Sequence, residues 1–346
     1  MHPRLLNRRA FNALMATFAL SAPLAVQQTV LALTLSGAGA TFPQPLYEKW
    51  FYEYNRKYPD VKINYQGIGS GGGINQFISK TVDFGASDAA MTDEQIAKAG
   101  GPERVLLLPM TAGAVAMSYN LPGVKELRLS REALAGIYLG AIRKWNDPAI
   151  TATNPGVDLP NRPIAVVRRS DSSGTTFIFT NHLAAISPRW KERVGAGNAV
   201  KWPTGIGAKG NQGVAAQIQQ TPGALGYIEY AYATENNLPV AAVQNREGQF
   251  VRPSVEATQA ALEGTRYPEN FRVFIEDPDG TRSYPIVGLT WLLAYRNMAE
   301  DQKGEALARF VDWALTDGQQ YVKPLYYTPL PAQLATRVRK AANAIK

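Results

Sequence analysis

AVVRRSDSSGTTFIFTNHL, running from Ala165 to Leu183, changes character twice. It follows Ile164, and the run from Ile164 to Val167 is apolar and β-branched enough for a buried strand. Two arginines, a carboxylate and the small polar run Ser172-Ser173-Gly174-Thr175 come next. Thr176 to Ala185 then has the mixed pattern of a helix. A strand, a short polar loop and a helix start can hold an anion. The first-turn N–H groups of a helix lack intrahelical partners and carry the positive end of its dipole. Gly174 permits close approach of the backbone, and Ser173 and Thr175 add hydroxyl donors. Arg169 brings charge and a planar fork, which Asp171 is placed to hold. The same residues also read as a Ser/Thr-rich helix cap beside a surface arginine.

The bulk numbers bound the alternatives. A chain of 346 residues, 45% hydrophobic and 18% charged, is long enough for two domains with a real core. With 0 Cys it has no disulfides, thiolate metal sites or cysteine nucleophiles. The net charge of +8 includes Arg4, Arg8 and Arg9 in a first segment free of acidic residues, so the remainder carries about +5. That charge is scattered, without the basic stripe and aromatic platforms of a nucleic-acid site.

Residues 1–32 read as a cleavable secretory signal, with a basic start, an apolar run from Ala13 to Val26, and cleavage after Ala32 or Ala25. Asn7-Arg8-Arg9-Ala10-Phe11 fits a twin-arginine export signal or an ordinary basic start. Leu33 to Leu35 opens a strand into Gly37-Ala38-Gly39-Ala40-Thr41-Phe42-Pro43, a tight turn with Pro43 suited to a first helical turn. Leu46, Trp50, Phe51 and Tyr54 follow at helical spacing as a core stripe. A second strand, Val61 to Tyr65, leads through Gly67-Ile68-Gly69-Ser70-Gly71-Gly72-Gly73 to a helix from Ile74 to Lys80. This turn lacks the Gly-Lys-Ser/Thr ending of a P-loop. Asp88, closing Val82 to Asp88, is either the cap of a helix from Asp93 to Ala99 or a ligand group. Leu106 to Tyr119 and Ser283 to Tyr295 are long apolar runs suited to crossing between two domains. Arg131 to Asn146 is expected as a helix with Tyr138 and Trp145 in the core. Lys209 stands in a glycine-rich loop, as a binding residue or a solvated lysine, before a helix from Val214 to Gln220. Asp277-Pro278-Asp279-Gly280 is a turn, since Arg282 stands where a calcium loop needs glycine. A last pair of helices is expected from Glu305 to Leu315 and in the basic tail.

Four stretches occur in order: the turn at Gly37 to Pro43, Tyr65 to Gly73, Asp83-Phe84-Gly85-Ala86-Ser87-Asp88, and Val167 to Thr175. Together they resemble the phosphate-binding proteins of bacterial phosphate-specific ABC transporters, the PstS family, over about residues 33 to 335; Gly136 to Trp145 and Pro222 to Tyr232 look like that family too. The resemblance implies an α/β, two-lobed periplasmic binding protein fold of type II, with the ligand between lobes joined by crossing strands. Lobe I would comprise 33–112 and 286–346, and lobe II 113–285. The family's motif places Thr41, the Phe42 N–H, Ser70 and Asp88 on the first lobe's side of the ligand. Arg169, Ser173, the Gly174 N–H and Thr175 take the second, with Asp171 in support. Ser170 and Ser172 depart from the alanine and glycine usual in the family. The implied function is high-affinity binding of inorganic phosphate in the periplasm and delivery to transmembrane permease subunits, as a monomer, without cofactor, metal or nucleic acid. The alternatives are another oxyanion (arsenate, sulfate or molybdate), a scavenger without a transporter, or a phosphatase. A phosphatase needs an activated nucleophile or metals, and the chain has 2 His, of which His2 lies in the signal and His182 on the helix after Gly174.

Overall fold

The computed structural model describes residues 32–346. The signal and its two cleavage positions, apart from Ala32, lie outside the described residues. Eleven strands are formed: β1 (Leu33–Gly39), β2 (Val61–Gly67), β3 (Phe84–Ser87), β4 (Val105–Tyr119), β5 (Arg128–Leu129), β6 (Ala165–Arg169), β7 (Ile206–Ala208), β8 (Ala224–Glu229), β9 (Ala242–Gln244), β10 (Phe250–Val251) and β11 (Val287–Tyr295). Between and after them come α1 (Gln44–Lys57), α2 (Ser70–Ile78), α3 (Asp93–Lys98), α4 (Arg131–Tyr138), α5 (Pro148–Thr151), α6 (Gly174–Ile186), α7 (Pro188–Arg193), α8 (Gly210–Gln220), α9 (Tyr230–Glu235), α10 (Val255–Leu262), α11 (Asp301–Ala314) and α12 (Ala332–Ala342). Among the described residues no helix is long and apolar enough to cross a membrane.

Eight strands form one sheet in the order β2-β1-β3-β11-β4-β8-β6-β7. β4 joins its two halves. Its first part, Val105 to Ala114, pairs antiparallel with β11, and its last part, Val115 to Tyr119, pairs antiparallel with β8. All 15 of its residues are buried, which explains why its sequence is continuously apolar rather than alternating. Pro109 cannot donate to the ladder, and the β4–β11 register shifts beside it, between Thr290 and Trp291.

The outer strands are parallel in both halves: β2, β1 and β3 in one, β8, β6 and β7 in the other. Parallel strands gather their carboxyl ends on one side, where open α/β sheets bind ligands. Gly39 is level with Gly67 and with Ala86, and Arg169 is level with Ala208, so the turns after these strands meet at one place.

The helices form where the sequence places an apolar face, with boundaries that differ from the periodicity. α1 buries Leu46, Trp50, Phe51 and Tyr54 as expected, and the Trp50 indole donates to the Gly318 carbonyl at 2.8 Å. α2 begins at Ser70 and α8 at Gly210, each a turn earlier than the apolar pattern, because Gly71, Gly72 and Gly73 in one and Gly213 in the other are taken into the helix. The expected helix from Arg131 to Asn146 stops at Tyr138, ahead of Gly140, whose φ of 72° lies in the left-handed region that ends helices. Tyr138 and Trp145 are both fully buried. Of the expected strand from Ser283 only Val287 onward is extended. α11 begins at Asp301, four residues before the expected Glu305.

One glycine sets the seat of α2. A Cβ at Gly73 would lie 2.4 Å from the Gly39 Cα, 2.7 Å from the Ala38 carbonyl and 2.8 Å from the Ala86 carbonyl. All three are backbone atoms of the parallel strands and cannot rotate away. Gly73→Ala should therefore push α2 off the sheet and cost about 1–3 kcal/mol, the usual penalty for an overpacked site. A thermal melt equal to that of the parent chain would show that this packing is looser than described.

Candidate functional site

Each of the parallel strands β1, β2, β3, β6 and β7 hands its last residues to one cleft. Thr41 and Phe42 follow β1, Ser70 follows β2, Asp88 follows β3, Arg169 ends β6, and Ser173, Gly174 and Thr175 open α6. All eight are buried. The structure thus brings together the full set expected from sequence. The Phe42, Ser70 and Thr175 N–H groups donate to no protein group among the described residues, as expected for donors at or before a helix's first turn.

Arg169 is 3% exposed, and a buried guanidinium needs a partner. Asp171 supplies it as a fork: Nε donates to Oδ1 at 2.8 Å and Nη2 to Oδ2 at 2.5 Å. The Gly210 N–H adds a third bond to Asp171 at 3.1 Å. Burial raises the Asp171 carboxyl, but the bonds and charge of Arg169 and the Gly210 N–H outweigh it and hold the pKa below the usual range. The remaining edge of the guanidinium, Nη1, points to Thr175 Oγ1 at 3.3 Å. Arg168, one position earlier on the strand, turns the other way and donates to the Arg169 carbonyl.

Asp88 does not cap a helix. That position belongs to Thr92, which forms a capping box with Gln95 at the start of α3. Asp88 is instead aimed into the cleft, with Oδ1 accepting from Thr290 Oγ1 at 2.8 Å and its own N–H donating to Ser70 Oγ at 3.1 Å. Thr290 sits beside the register shift, opposite Thr111, with the next residue, Trp291, opposite Pro109. Burial pushes the Asp88 carboxyl up to about 7, against the lowering effect of Thr290, Arg169 and Ser70.

The two readings of the Ser173 region hold together. Ser173 does cap α6, accepting from the Thr176 N–H at 3.0 Å, and its own O–H remains free to donate. Gly174 allows the opposing halves to touch: its N–H donates to Ser70 Oγ at 3.0 Å, and a Cβ there would lie 2.4 Å from Ser70 Oγ and 2.6 Å from Asp88 Oδ2. The Gly71 N–H likewise reaches across to the Ser172 carbonyl at 3.0 Å. Ser170 and Ser172 themselves are exposed.

Sequence reasoning missed the buried polar residues behind the cleft. Tyr227 accepts from the Arg169 N–H at 3.1 Å and lies 2.6 Å from Thr176 Oγ1. Tyr232 and Tyr327 donate to the carbonyls of Thr41 and Phe42, each at 2.6 Å. Asn211 bonds both Thr41 and Thr175. The glycine-rich loop is the one local signal for Asn211, and Lys209, the candidate it offers on charge, is exposed. His182 is packed inside, and burial lowers its pKa to about 4, so the ring is neutral. Among the described residues no group of three or more His, Asp or Glu side chains is arranged to hold a metal.

Residues 25–318 match the family model described as a PBP superfamily domain. The phosphate-binding protein PstS of Pasteurella multocida is 43% identical over 330 residues, covering 94% of this chain and 92% of that protein. Its namesake from Methanocaldococcus jannaschii is 40% identical, covering 89% of this chain and 85% of that protein. A solved high affinity periplasmic phosphate-binding protein, PfluDING, bound with phosphate, superposes with a TM-score of 0.73 over 89% of this chain and 93% of its own, at 22% identity. The phosphate binding protein from Stenotrophomonas maltophilia gives a TM-score of 0.71 at 19% identity, covering 89% and 94%. The fold is the two-lobed α/β fold of periplasmic binding proteins, and the chain belongs to the PBP superfamily and, within it, to the family of phosphate-binding proteins named PstS.

Proposed function

We propose that the cleft binds inorganic phosphate in the periplasm and that the chain delivers it to the transmembrane permease subunits of an ABC importer. The observation that carries this reading is the arrangement of many donors around a single buried carboxylate. Thr41, the Phe42 N–H, Ser70, Arg169, Ser173, the Gly174 N–H and Thr175 offer hydrogens; Asp88 offers oxygens. Phosphate near neutral pH carries unprotonated oxygens and at least one P–OH, which matches that set. The names of the relatives support the same ligand. The chain acts as a monomeric carrier, exported by the signal at 1–32, rather than as an enzyme. The neutral, packed His182 fits a binding role better than general-base catalysis.

The lobes in this reading are 33–112 with 286–346, and 113–285. The change of partner along β4 at Ala114 and Val115 supports the boundary, as does the bond from the Val115 N–H to the Ile286 carbonyl at 2.8 Å. Ligand bonded to both lobes favours the closed form, because only that form makes both sets of bonds.

Calorimetric titration of the chain with phosphate, arsenate, sulfate and molybdate tests the function directly. Phosphate binding without turnover of a phosphomonoester is expected; clear hydrolysis, or tighter binding of sulfate than of phosphate, would sink the reading.

Arg169→Ala removes the guanidinium from the cleft and leaves the half-buried Asp171 without its partner. A loss of about 2–5 kcal/mol in phosphate binding is expected, as for other truncated buried charge pairs. Arg169→Lys should also weaken binding, since a point charge cannot replace the fork. Arg168→Ala should change little, and the reverse ranking would exclude the assignment of Arg169.

Asp88 sets selectivity and a pH dependence. Sulfate has no proton to give an ionised Asp88, and an unpaired buried charge costs about 3–5 kcal/mol. Arsenate, protonated like phosphate, escapes this penalty. Asp88→Asn should keep appreciable phosphate binding and raise sulfate affinity. Because burial raises the Asp88 carboxyl to about 7, its protonated form can donate to sulfate. Wild-type sulfate affinity should therefore rise as pH falls through 7, and this slope should vanish in Asp88→Asn. The same shift means that the folded chain holds a proton the unfolded chain releases between the ordinary value of 3.8 and about 7. Stability from this group is full below that window and is lost as pH rises through it. Competition titrations and melts at pH 6 and 8 read both effects, and equal selectivity in wild type and Asp88→Asn would remove Asp88 from the ligand.

A further inference from the structure

Asn211 lies at the start of α8, fully buried, between the two halves of the cleft. Its Oδ1 accepts from the Glu229 N–H at 3.0 Å. A backbone N–H can bond only to the oxygen end of the amide, so this contact fixes which way the side chain points. Nδ2 is thereby turned to the cleft, where it donates to Thr41 Oγ1 at 2.9 Å and to Thr175 Oγ1 at 3.2 Å. The Asn211 backbone N–H makes a second bond to Thr41 Oγ1 at 3.2 Å, and Arg169 Nη1 a second to Thr175 Oγ1 at 3.3 Å.

A hydroxyl has two acceptor positions and one hydrogen. Both acceptor positions are filled on Thr41 and on Thr175, so each has only its hydrogen left to offer. One hydroxyl follows β1 and the other follows β6, so the constraint acts on both sides of the ligand at once. We infer that Asn211 is a positioning residue for the bound anion, which acts by fixing the Thr41 and Thr175 hydroxyls as donors. The inference rests on the phosphate reading of this cleft. It adds that the discrimination between protonated and bare ligand oxygens is shared: Asn211 removes the hydroxyls as alternative acceptors, leaving Asp88 to take the P–OH.

The test is a double-mutant cycle read by phosphate titration, with unliganded melts as the control for folding. Asn211→Ala should weaken binding about tenfold or more in the wild-type background and less than about threefold in a Thr41→Val, Thr175→Val background, where no hydroxyl remains to orient. Asn211→Asp keeps the size and the Glu229 contact but presents an acceptor to both hydroxyls. It should melt near the parent temperature and bind phosphate more weakly than Asn211→Ala. A loss of equal fold in both backgrounds, or Asn211→Asp within a few-fold of wild type, overturns the inference alone. A wild-type chain that binds no phosphate overturns the functional reading and this inference with it.

Discussion

A guanidinium that is 3% exposed cannot sit in a protein interior without a counter-charge, and Arg169 has one in Asp171. The fork is two residues from its partner in sequence, so the loop after β6 must fold back on itself to form it. That turn delivers Ser173, Gly174 and Thr175 to the start of α6 with their donors facing the same cleft. Asp171 also ties down Gly210, the first residue of α8, and so fixes the depth at which Asn211 enters. Much of the second half of the site hangs on this one ion pair. With two of its three nitrogens held by Asp171, Arg169 offers the third to Thr175 and the cleft, and its position no longer depends on a ligand being there.

The opposite side is organised by scarcity of acceptors. Ser70 Oγ accepts from the Asp88 and Gly174 N–H groups, and the carbonyls of Thr41 and Phe42 are taken by two tyrosines. Asp88 is left as the carboxylate among donors, desolvated enough that its charge depends on what it faces. All four of these bonds pair a side chain with the backbone, which makes the arrangement a property of the turns as much as of the residues.

This accounts for what the sequence could reveal. The four glycine- and serine-bearing turns were legible because tight strand-to-helix connections demand those residue types, and Arg169 and Asp171 because their chemistry is unmistakable beside them. β4 was legible from its unbroken apolar run. Helix starts at Ser70 and Gly210 were not, because glycine is a poor helix former on propensity and tertiary contacts decided otherwise. Asp88 could not be separated from a helix cap until Thr92 was seen in that place. Asn211, Tyr227, Tyr232, Tyr327 and Thr290 reach the cleft through pairings separated by 36 to 285 positions from their partners, Asn211 with Thr175 the nearest and Tyr327 with Phe42 the farthest. No local pattern marks such residues.

The shared strand has a consequence for how the chain comes to be folded. β3 and the first part of β4 have no partner between them until β11, Val287–Tyr295, has been made. The long strand is already synthesised by then, and its other flank waits for β8 at Ala224–Glu229. From the completion of β4 until β8 arrives the chain therefore carries two open sheet edges in its most apolar segment, and one of them stays open until β11, an arrangement that folds slowly and invites wrong pairing. The last strand to arrive is the one that seals the middle of the sheet, so the ligand cleft comes into existence late, after nearly all of the chain is present. A carrier built this way is held by a single central seam, and that seam is closed from the far end of the sequence.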